Sequence, residues 1–236
     1  MQRLHFHGVR SVFAALVLLQ VPLIVEASSI TIDSGHSPKH PGTTSCSGKP
    51  EYYFNDTLSA DVIKRLRRFD ITVRLSRARG AEVALDARAK SSNGTDVLLS
   101  IHHDSVQPQF ITNNNQHKGQ CSEKASGFSI FVSALNPQYE QSLVYARRLG
   151  QALIRRGLKP TLHHSEAIPG ENRKLLDKNL GIYQFNELIV LKKSPTPALL
   201  LEAAVIVNPE DESLASSSDF RISIADAIRD MMRPTQ

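Results

Sequence analysis

The chain has 236 residues, of which 41% are hydrophobic and 22% charged, and its formal net charge is +5 at pH 7. This length and composition are typical of one globular domain, which can bury a full hydrophobic core. Tryptophan is absent, only 6% of the residues are aromatic and no recognition motif is present, so the composition argues against a nucleic-acid-binding protein.

The first 27 residues have the parts of a secretory signal peptide. Arg3 and Arg10 make the start basic, residues 12–25 are almost entirely apolar, and Val25-Glu26-Ala27 supplies small residues at a cleavage site. A transmembrane anchor is the alternative, but the apolar run is shorter than the ~20 residues that span a bilayer. We therefore expect an exported protein, periplasmic or extracellular, whose mature part is residues 28–236 and keeps no stable membrane anchor.

Strand and helix patterns alternate along the mature chain. Runs of β-branched and apolar residues predict strands at residues 29–33, 71–75, 97–102, 128–132 and 197–202. Apolar residues at helical spacing predict a helix that ends near residue 69 and further helices at 79–90, 138–156 and 222–232. Residues 159–180 are polar and no element is predicted there. This alternation predicts a single α/β domain with a largely parallel, twisted sheet sandwiched by helices.

The only two cysteines, Cys46 and Cys121, lie in polar, loop-like stretches. An even number of cysteines in an exported protein favours pairing, so we predict a disulfide between them. Two unpaired thiols are the alternative. A zinc site built on the two cysteines is less favoured, because their spacing matches no structural zinc motif.

Reactive side chains stand at the ends of three predicted strands. His36 follows the first strand, His102 ends the third, Glu202 ends the last, and Glu51 stands before the first helix. Sites in open α/β sheets collect beyond the carboxyl ends of the strands. Two histidines and one carboxylate with an open position make a hydrolytic zinc site, and a further carboxylate can act as general base. We therefore predict that His36, Glu51 and His102 bind zinc and that Glu202 is the base, although composition alone does not select them among 9 histidines.

Short motifs follow one another in a fixed order over nearly the whole mature chain. They are Ile32-Asp33-Ser34-Gly35-His36, Glu51, Ser76-Arg77, Arg88, Ser100-Ile101-His102, Pro197 to Glu202, and Asn208-Pro209. In order and spacing they resemble the zinc-dependent N-acetylmuramoyl-L-alanine amidases of the AmiC/CwlV type, amidase family 3. Each motif is weak by itself, whereas the ordered set is specific.

The resemblance implies a role for each candidate site residue. His36, Glu51 and His102 would hold the zinc ion, and Glu202 would be the catalytic carboxylate. The substrate would be peptidoglycan, cleaved at the amide that joins the lactyl group of N-acetylmuramic acid to L-alanine of the stem peptide. A protein activator is a further candidate partner.

The chain departs from the family pattern beside the predicted site. Ser34 stands where the family has proline, Ser37-Pro38-Lys39 follows His36, Asp104-Ser105 replaces a small residue and asparagine, and Ala203-Ala204-Val205 replaces a Gly-Phe pair and a small residue. Phenylalanine after Glu202 would help to shape the groove. Two alternatives therefore stay open, namely a zinc peptidase that acts on another cell-wall amide and a catalytically silent wall-binding protein. Retention of all four site residues argues against the silent protein.

Two neighbouring histidines compete for the same role in the third predicted strand. Adjacent strand residues point to opposite faces of a sheet, so only one of His102 and His103 can reach the metal, and the motif favours His102. We expect Arg77 and Arg88 to form structural ion pairs and not to hold substrate.

His163, His164 and Glu166 form a further group of metal-ligand types. Short histidine tracts are weak metal signals and this group has no counterpart in the motif set, so we expect it at the surface.

The polar segment 104–126 leaves the strand that carries His102. We hypothesise that it forms a groove wall or lid pinned by the Cys46–Cys121 disulfide, so that reduction changes activity without removing zinc. An ordinary surface loop is the alternative.

Overall fold

The computed structural model of the protein describes residues 29–112, 119 and 121–233. The predicted signal peptide lies outside the described residues. No helix in the part of the chain that the structure describes combines the length and hydrophobicity that a membrane span requires.

A seven-stranded sheet forms the centre of the domain. Its strands are β1 (Ser29–Ser34), β2 (Thr72–Leu75), β3 (Val97–Asp104), β4 (Ser129–Val132), β5 (Lys174–Asp177), β6 (Ile182–Gln184) and β7 (Ala198–Val205). The spatial order is β2-β1-β3-β7-β4-β6-β5. The pairs β1–β2, β1–β3, β3–β7 and β4–β6 are parallel, whereas β4–β7 and β5–β6 are antiparallel. The sheet is therefore mostly parallel, as predicted.

The described residues also form six α-helices. They are α1 (Glu51–Arg67), α2 (Leu85–Lys90), α3 (Tyr139–Ile154), α4 (Ile189–Lys192), α5 (Pro209–Ser216) and α6 (Ser218–Met232). Of these, α1 to α4 lie between strands, and α5 and α6 follow β7. The helices α1, α3 and α6 cover one face of the sheet, where alternate residues such as Ile32, Leu99 and Leu201 are buried. The smaller α4 packs on the other face against Leu98 and Leu200. This arrangement confirms the predicted α/β domain with helices on both sides of the sheet.

The alternation of side chains along β3 and β7 decides which residues face the site. Leu99 and Ile101 of β3 point into the larger core, so Ser100 and His102 point to the opposite face. In the same way Leu201 of β7 points into the larger core and Glu202 points away from it. His102 and Glu202 are direct partners in the β3–β7 pairing and therefore lie side by side on one face.

Several predictions of element boundaries were incomplete. The helix predicted over residues 79–90 is only α2, and residues 81–84 before it have no regular structure. Strands β5 and β6 and helices α4 and α5 were not predicted. The closing helix begins at Ser218, earlier than the predicted residue 222.

The predicted disulfide between Cys46 and Cys121 is present. It joins the loop after β1 to the polar segment after β3. Both partners are held against the end of β7, since Cys46 N donates to Ile206 O (3.1 Å) and Ser122 N donates to Val207 O (2.8 Å).

Candidate metal centre

The structure brings His36, Glu51 and His102 together at the carboxyl end of the sheet. Glu51 is the first residue of α1 and bridges the two imidazoles, with Oε2 3.1 Å from His36 Nε2 and Oε1 3.0 Å from His102 Nδ1. The ligand atoms of the three residues all lie within 4.8 Å of one another. Two imidazole nitrogens and one carboxylate are the donor set of hydrolytic zinc sites, so these residues fit a zinc ion.

The backbone after β1 is shaped to present His36. This residue has φ 58°, in the left-handed region that few side chains other than Asn, Asp and His adopt. Its Nδ1 lies 3.2 Å from the backbone oxygen of His40, which leaves Nε2 free to face Glu51. The residue before it is Gly35, where a Cβ atom would overlap the His102 ring and displace this candidate ligand.

A buried hydrogen-bond chain orients the carboxylate of Glu51. Asn55, one helical turn later, donates from Nδ2 to Glu51 Oε1 (3.0 Å) and to the backbone oxygen of Gly35 (3.2 Å). Its Oδ1 is therefore the acceptor for His103 Nδ1, at 2.8 Å. Burial lowers the pKa of His103 to about 4, so the ring is neutral and donates Nδ1–H. His103 thus positions Glu51 through Asn55 and does not compete with His102 for the cluster, as predicted from strand alternation.

Two buried ion pairs support the strand end beneath the cluster. Arg88 donates from Nε and Nη2 to the two oxygens of Asp33, each at 2.7 Å. Arg77 pairs with Asp56 of α1 at 2.8 Å and also donates from Nε to the backbone oxygen of Ser34 at 2.9 Å. All four charged side chains are buried, which confirms that both arginines form structural ion pairs.

The electrostatics of the cluster favour an ionised Glu51. Burial alone would raise the pKa of this carboxyl, but hydrogen bonds from His102 and His36 outweigh burial and lower the pKa. Burial alone would lower the pKa of His36, and the hydrogen bond to Glu51 reverses this and raises it. Glu51 is therefore a carboxylate at neutral pH and can act as a ligand for a cation.

Glu202 has an unsatisfied oxygen beside the cluster. Its Oε2 is buried and has no hydrogen-bond partner among the described residues. Burial raises the pKa of Glu202 well above its ordinary value, and the negative charges of Asp104 and Glu51 raise it further. A buried acceptor without a partner is costly for a fold. This group is suited to receive a proton or to interact with a cation.

A cavity of about 610 Å³ opens over the cluster. His36, His102 and Glu202 line its polar wall, and Leu85 of α2 and Leu188 and Val190 near α4 line the apolar wall. Ala203 and Ala204, which stand where the family has a Gly-Phe pair, are each only 2% exposed and line no part of this cavity.

The expectation that His163 and His164 lie at the surface was wrong. They are only 6% and 9% exposed, and both approach the carboxylate of Asp104, which is also buried. Glu166 is partly exposed and pairs with Lys124. Local sequence patterns do not indicate the contact with Asp104, because the histidines and Asp104 are about 60 residues apart in the chain and come together only when it folds.

The fold and the cluster define the class of protein, and comparison with known families agrees. The model of the N-acetylmuramoyl-L-alanine amidase family, Amidase_3, matches residues 30–233. The chain therefore belongs to the N-acetylmuramoyl-L-alanine amidase family.

Similar proteins are found among characterised sequences and solved structures. N-acetylmuramoyl-L-alanine amidase AmiA of Escherichia coli is 25% identical over 84% of this chain and 73% of its own length. The probable cell wall amidase LytH of Staphylococcus epidermidis is 24% identical over 89% of this chain, which spans 58% of LytH. Among structures, Ami1 of Mycobacterium smegmatis has a TM-score of 0.67 at 20% identity, covering 86% of this chain and 94% of Ami1. The catalytic domain of CwlV from Bacillus (Paenibacillus) polymyxa var. colistinus has a TM-score of 0.64 at 22% identity, covering 86% and 95%.

Proposed function

We propose that this protein is a zinc-dependent amidase that hydrolyses the bond between the lactyl group of N-acetylmuramic acid and L-alanine in peptidoglycan. The observation that carries the proposal is the convergence of His36, Glu51 and His102 beside the unpaired Oε2 of Glu202. Membership of the amidase family supports the same reaction.

His36, Glu51 and His102 would hold the zinc ion through Nε2, a carboxylate oxygen and Nδ1. When bound, zinc supplies a positive charge that polarises the scissile carbonyl and lowers the pKa of water. The chain's own contribution is to fix these donors, through Asn55 on Glu51 and the His40 carbonyl on His36. Hydrogen bonds of this kind orient metal-binding side chains.

Glu202 would move the proton in the reaction. Its Oε2 accepts a proton from the attacking water and then delivers it to the nitrogen of the leaving L-alanine. A cation held by the three ligands would favour the ionised form of Glu202 and so make it available as a base. The cavity over the cluster gives the glycan and the stem peptide access to both groups.

The site of action that we propose is outside the cytoplasm. The basic and apolar segments of residues 1–27 support export to the periplasm or the cell exterior, with removal of this segment and a catalytic domain formed by residues 28–236. A structure similar in fold, the CwlD amidase of Clostridioides difficile, was solved in complex with the GerS lipoprotein. This complex supports a protein activator as a candidate partner here.

The products of peptidoglycan digestion test the proposal. Purified protein is incubated with peptidoglycan, with zinc or with a chelator, and the soluble products are identified by mass spectrometry. We expect free stem peptides that begin with L-alanine, and their loss on chelation. Cleavage inside the stem peptide would instead identify a zinc peptidase. If no soluble product is released and no zinc is bound, the alternative of a catalytically silent wall-binding protein is favoured.

A further inference from the structure

A second cluster of metal-ligand side chains lies near the candidate metal centre. Asp104 ends β3, two residues after His102, and His163 and His164 lie in a 3-10 turn, His163–Ser165. The ligand atoms of Asp104, His163 and His164 all lie within 4.8 Å of one another. The donor set, two imidazoles and a carboxylate, is the same as in the first cluster.

Both imidazoles are oriented as metal-binding histidines are. His164 has Nδ1 2.9 Å from Glu171 Oε2 and Nε2 2.7 Å from Asp104 Oδ2. His163 has Nδ1 2.8 Å from the hydroxyl of Thr161 and Nε2 3.6 Å from the same Asp104 oxygen. Histidines that bind metals usually engage one ring nitrogen with an oxygen partner, which fixes the ring and directs the other nitrogen at the ion. Here both Nε2 atoms converge on one carboxylate oxygen.

One donor of this cluster has no partner. Nε2 of His163 is buried and makes no hydrogen bond with any described residue, although the residue is only 6% exposed. A buried polar nitrogen without a partner is costly, and 3.6 Å is too long for a hydrogen bond to Asp104. A cation between His163, His164 and Asp104 would satisfy this nitrogen.

Three carboxyl groups and one guanidinium line the cavity beside the cluster. Asp104, Glu171 and Glu202 line one cavity of about 200 Å³, which gives an ion a route to the cluster. Arg173 lines the same cavity, but its guanidinium lies 3.8 Å from the Phe185 ring centroid and donates to the backbone oxygen of Glu171. Among the described residues it makes no ion pair with these carboxylates. The cavity therefore gives a cation access to Asp104 and His164.

We propose that Asp104, His163 and His164 form a second binding site for a divalent transition-metal cation such as zinc. Nitrogen-rich donors favour zinc and related ions over magnesium or calcium. Glu171 would hold His164 in position and Glu202 would stand between the two sites, because it lines both cavities. The alternative is a metal-free cluster in which a protonated His164 bridges Asp104 and Glu171.

Metal stoichiometry separates the two sites. Metal-free protein is equilibrated with zinc, freed of unbound ion, and analysed by inductively coupled plasma mass spectrometry. We expect two zinc ions in the wild type, one in His163→Ala and one in His36→Ala. The matched control Glu166→Gln, on the same segment but partly exposed, should keep two.

A titration of the wild type with cobalt(II), followed by its visible absorption, counts the bound ions without any variant, and the variants then assign each ion to a site. Two equivalents at saturation support the second site. A single equivalent, lost in His36→Ala and kept in His163→Ala, would overturn it and leave the proposed function intact. Loss of metal only in His163→Ala, with none lost in His36→Ala, would instead contradict the first site.

Discussion

Gly35 is the residue on which the geometry of the first cluster depends most directly. A Cβ atom at this position would overlap Cε1 and Nε2 of the His102 ring, so the ring would have to shift away from its present place. His36 follows at once with a left-handed backbone, so one dipeptide determines the placement of two of the three candidate ligands. The geometry of the candidate metal site therefore depends on close packing against the His102 ring as well as on the identity of the ligand residues.

We expect Gly35→Ala to weaken zinc binding about 10–100-fold, the usual cost of disturbing groups that orient a metal ligand. The dissociation constant is measured by competition with a chromogenic chelator. Gly94→Ala is a suitable control, because a Cβ atom there meets nothing within 4 Å, although its φ of +80° will lower stability. Unchanged zinc affinity in Gly35→Ala would contradict the proposed role of His102.

The Asp33–Arg88 pair leads to a prediction about stability and pH. Burial would raise the pKa of Asp33, but the hydrogen bonds and charge of Arg88 outweigh burial and lower it. Ionised Asp33 therefore stabilises the fold fully above its unfolded pKa of about 3.8, and this contribution is lost as the pH falls through the lower folded pKa.

We expect Asp33→Asn to lower the free energy of unfolding at pH 7 by about 3–5 kcal/mol, because Arg88 is left buried without a counter-charge. The difference from wild type should begin to shrink as the pH falls below about 3.8, the unfolded pKa of Asp33, toward its lower folded pKa. Denaturant unfolding between pH 7 and pH 3 measures both effects. Asp86→Asn, which breaks an exposed pair with Lys193, should change little. An equal loss at every pH would show that Asp33 acts through packing alone.

At the scale of elements, the sequence predicts β1 to β4 and β7 and misses the short strands β5 and β6. The strands β3 and β7 carry apolar runs and β1 alternates isoleucine with small polar residues, whereas β5 is half-buried at the sheet edge and contains Lys174 and Asp177. The segment before α2 has residues of high helix propensity but no apolar face, and Glu82 there bonds instead to Ser37 and His40. Helix propensity depends on the local sequence and therefore cannot predict such contacts between distant segments.

In the candidate site too, local sequence motifs predicted some residues, whereas residues that depend on contacts between distant segments were missed. Motifs at strand ends predicted that His36, Glu51, His102 and Glu202 would lie together, because the carboxyl ends of parallel strands meet at one edge. Asn55 was missed although it lies one turn after Glu51, a spacing that places both on one face of α1. His163 lies in a 3-10 turn and approaches Asp104, which is far from it in the chain, so local sequence gives no signal for its burial.

The disulfide joins two elements near the site, and its loss should be measurable. It closes a loop with a sequence separation of 75 residues. We expect Cys46→Ser/Cys121→Ser to lower the free energy of unfolding by about 2–4 kcal/mol, chiefly because the unfolded chain gains freedom. The double variant also serves as the control for treatment with a reductant, because the reductant should lower the free energy of unfolding of the wild type and leave that of the double variant unchanged. Equal stability of the oxidised and reduced wild type would contradict this.

The lid hypothesis belongs to the same element and stays a prediction. Gln107 of the segment after β3 donates from Nε2 to Glu171 Oε1 at 2.8 Å, so part of this segment lies against the second cluster. Reduction of the disulfide should alter the cleavage rate while the zinc content stays constant. Equal rates for oxidised and reduced protein would exclude the lid.

At the scale of the whole molecule, one face of the sheet forms the larger hydrophobic core and the other carries the candidate site. The helices α1, α3 and α6 bury the larger core on one face, while β3 and β7 present His102 and Glu202 on the other, beneath the cavity. The family match spans residues 30–233, so the arrangement of the site is a property of the entire domain. We propose that this domain cleaves peptidoglycan with zinc and with Glu202 as the proton carrier.

The most direct test compares zinc-loaded wild type and Glu202→Gln on a soluble muropeptide, with the cleavage rate and the zinc content measured on the same samples. Glutamine keeps the shape but cannot accept the proton, so we expect the rate to fall about 10²–10⁴-fold with little change in zinc content. A cleavage rate in Glu202→Gln equal to that of the wild type would contradict the proposed role of Glu202 as the proton carrier.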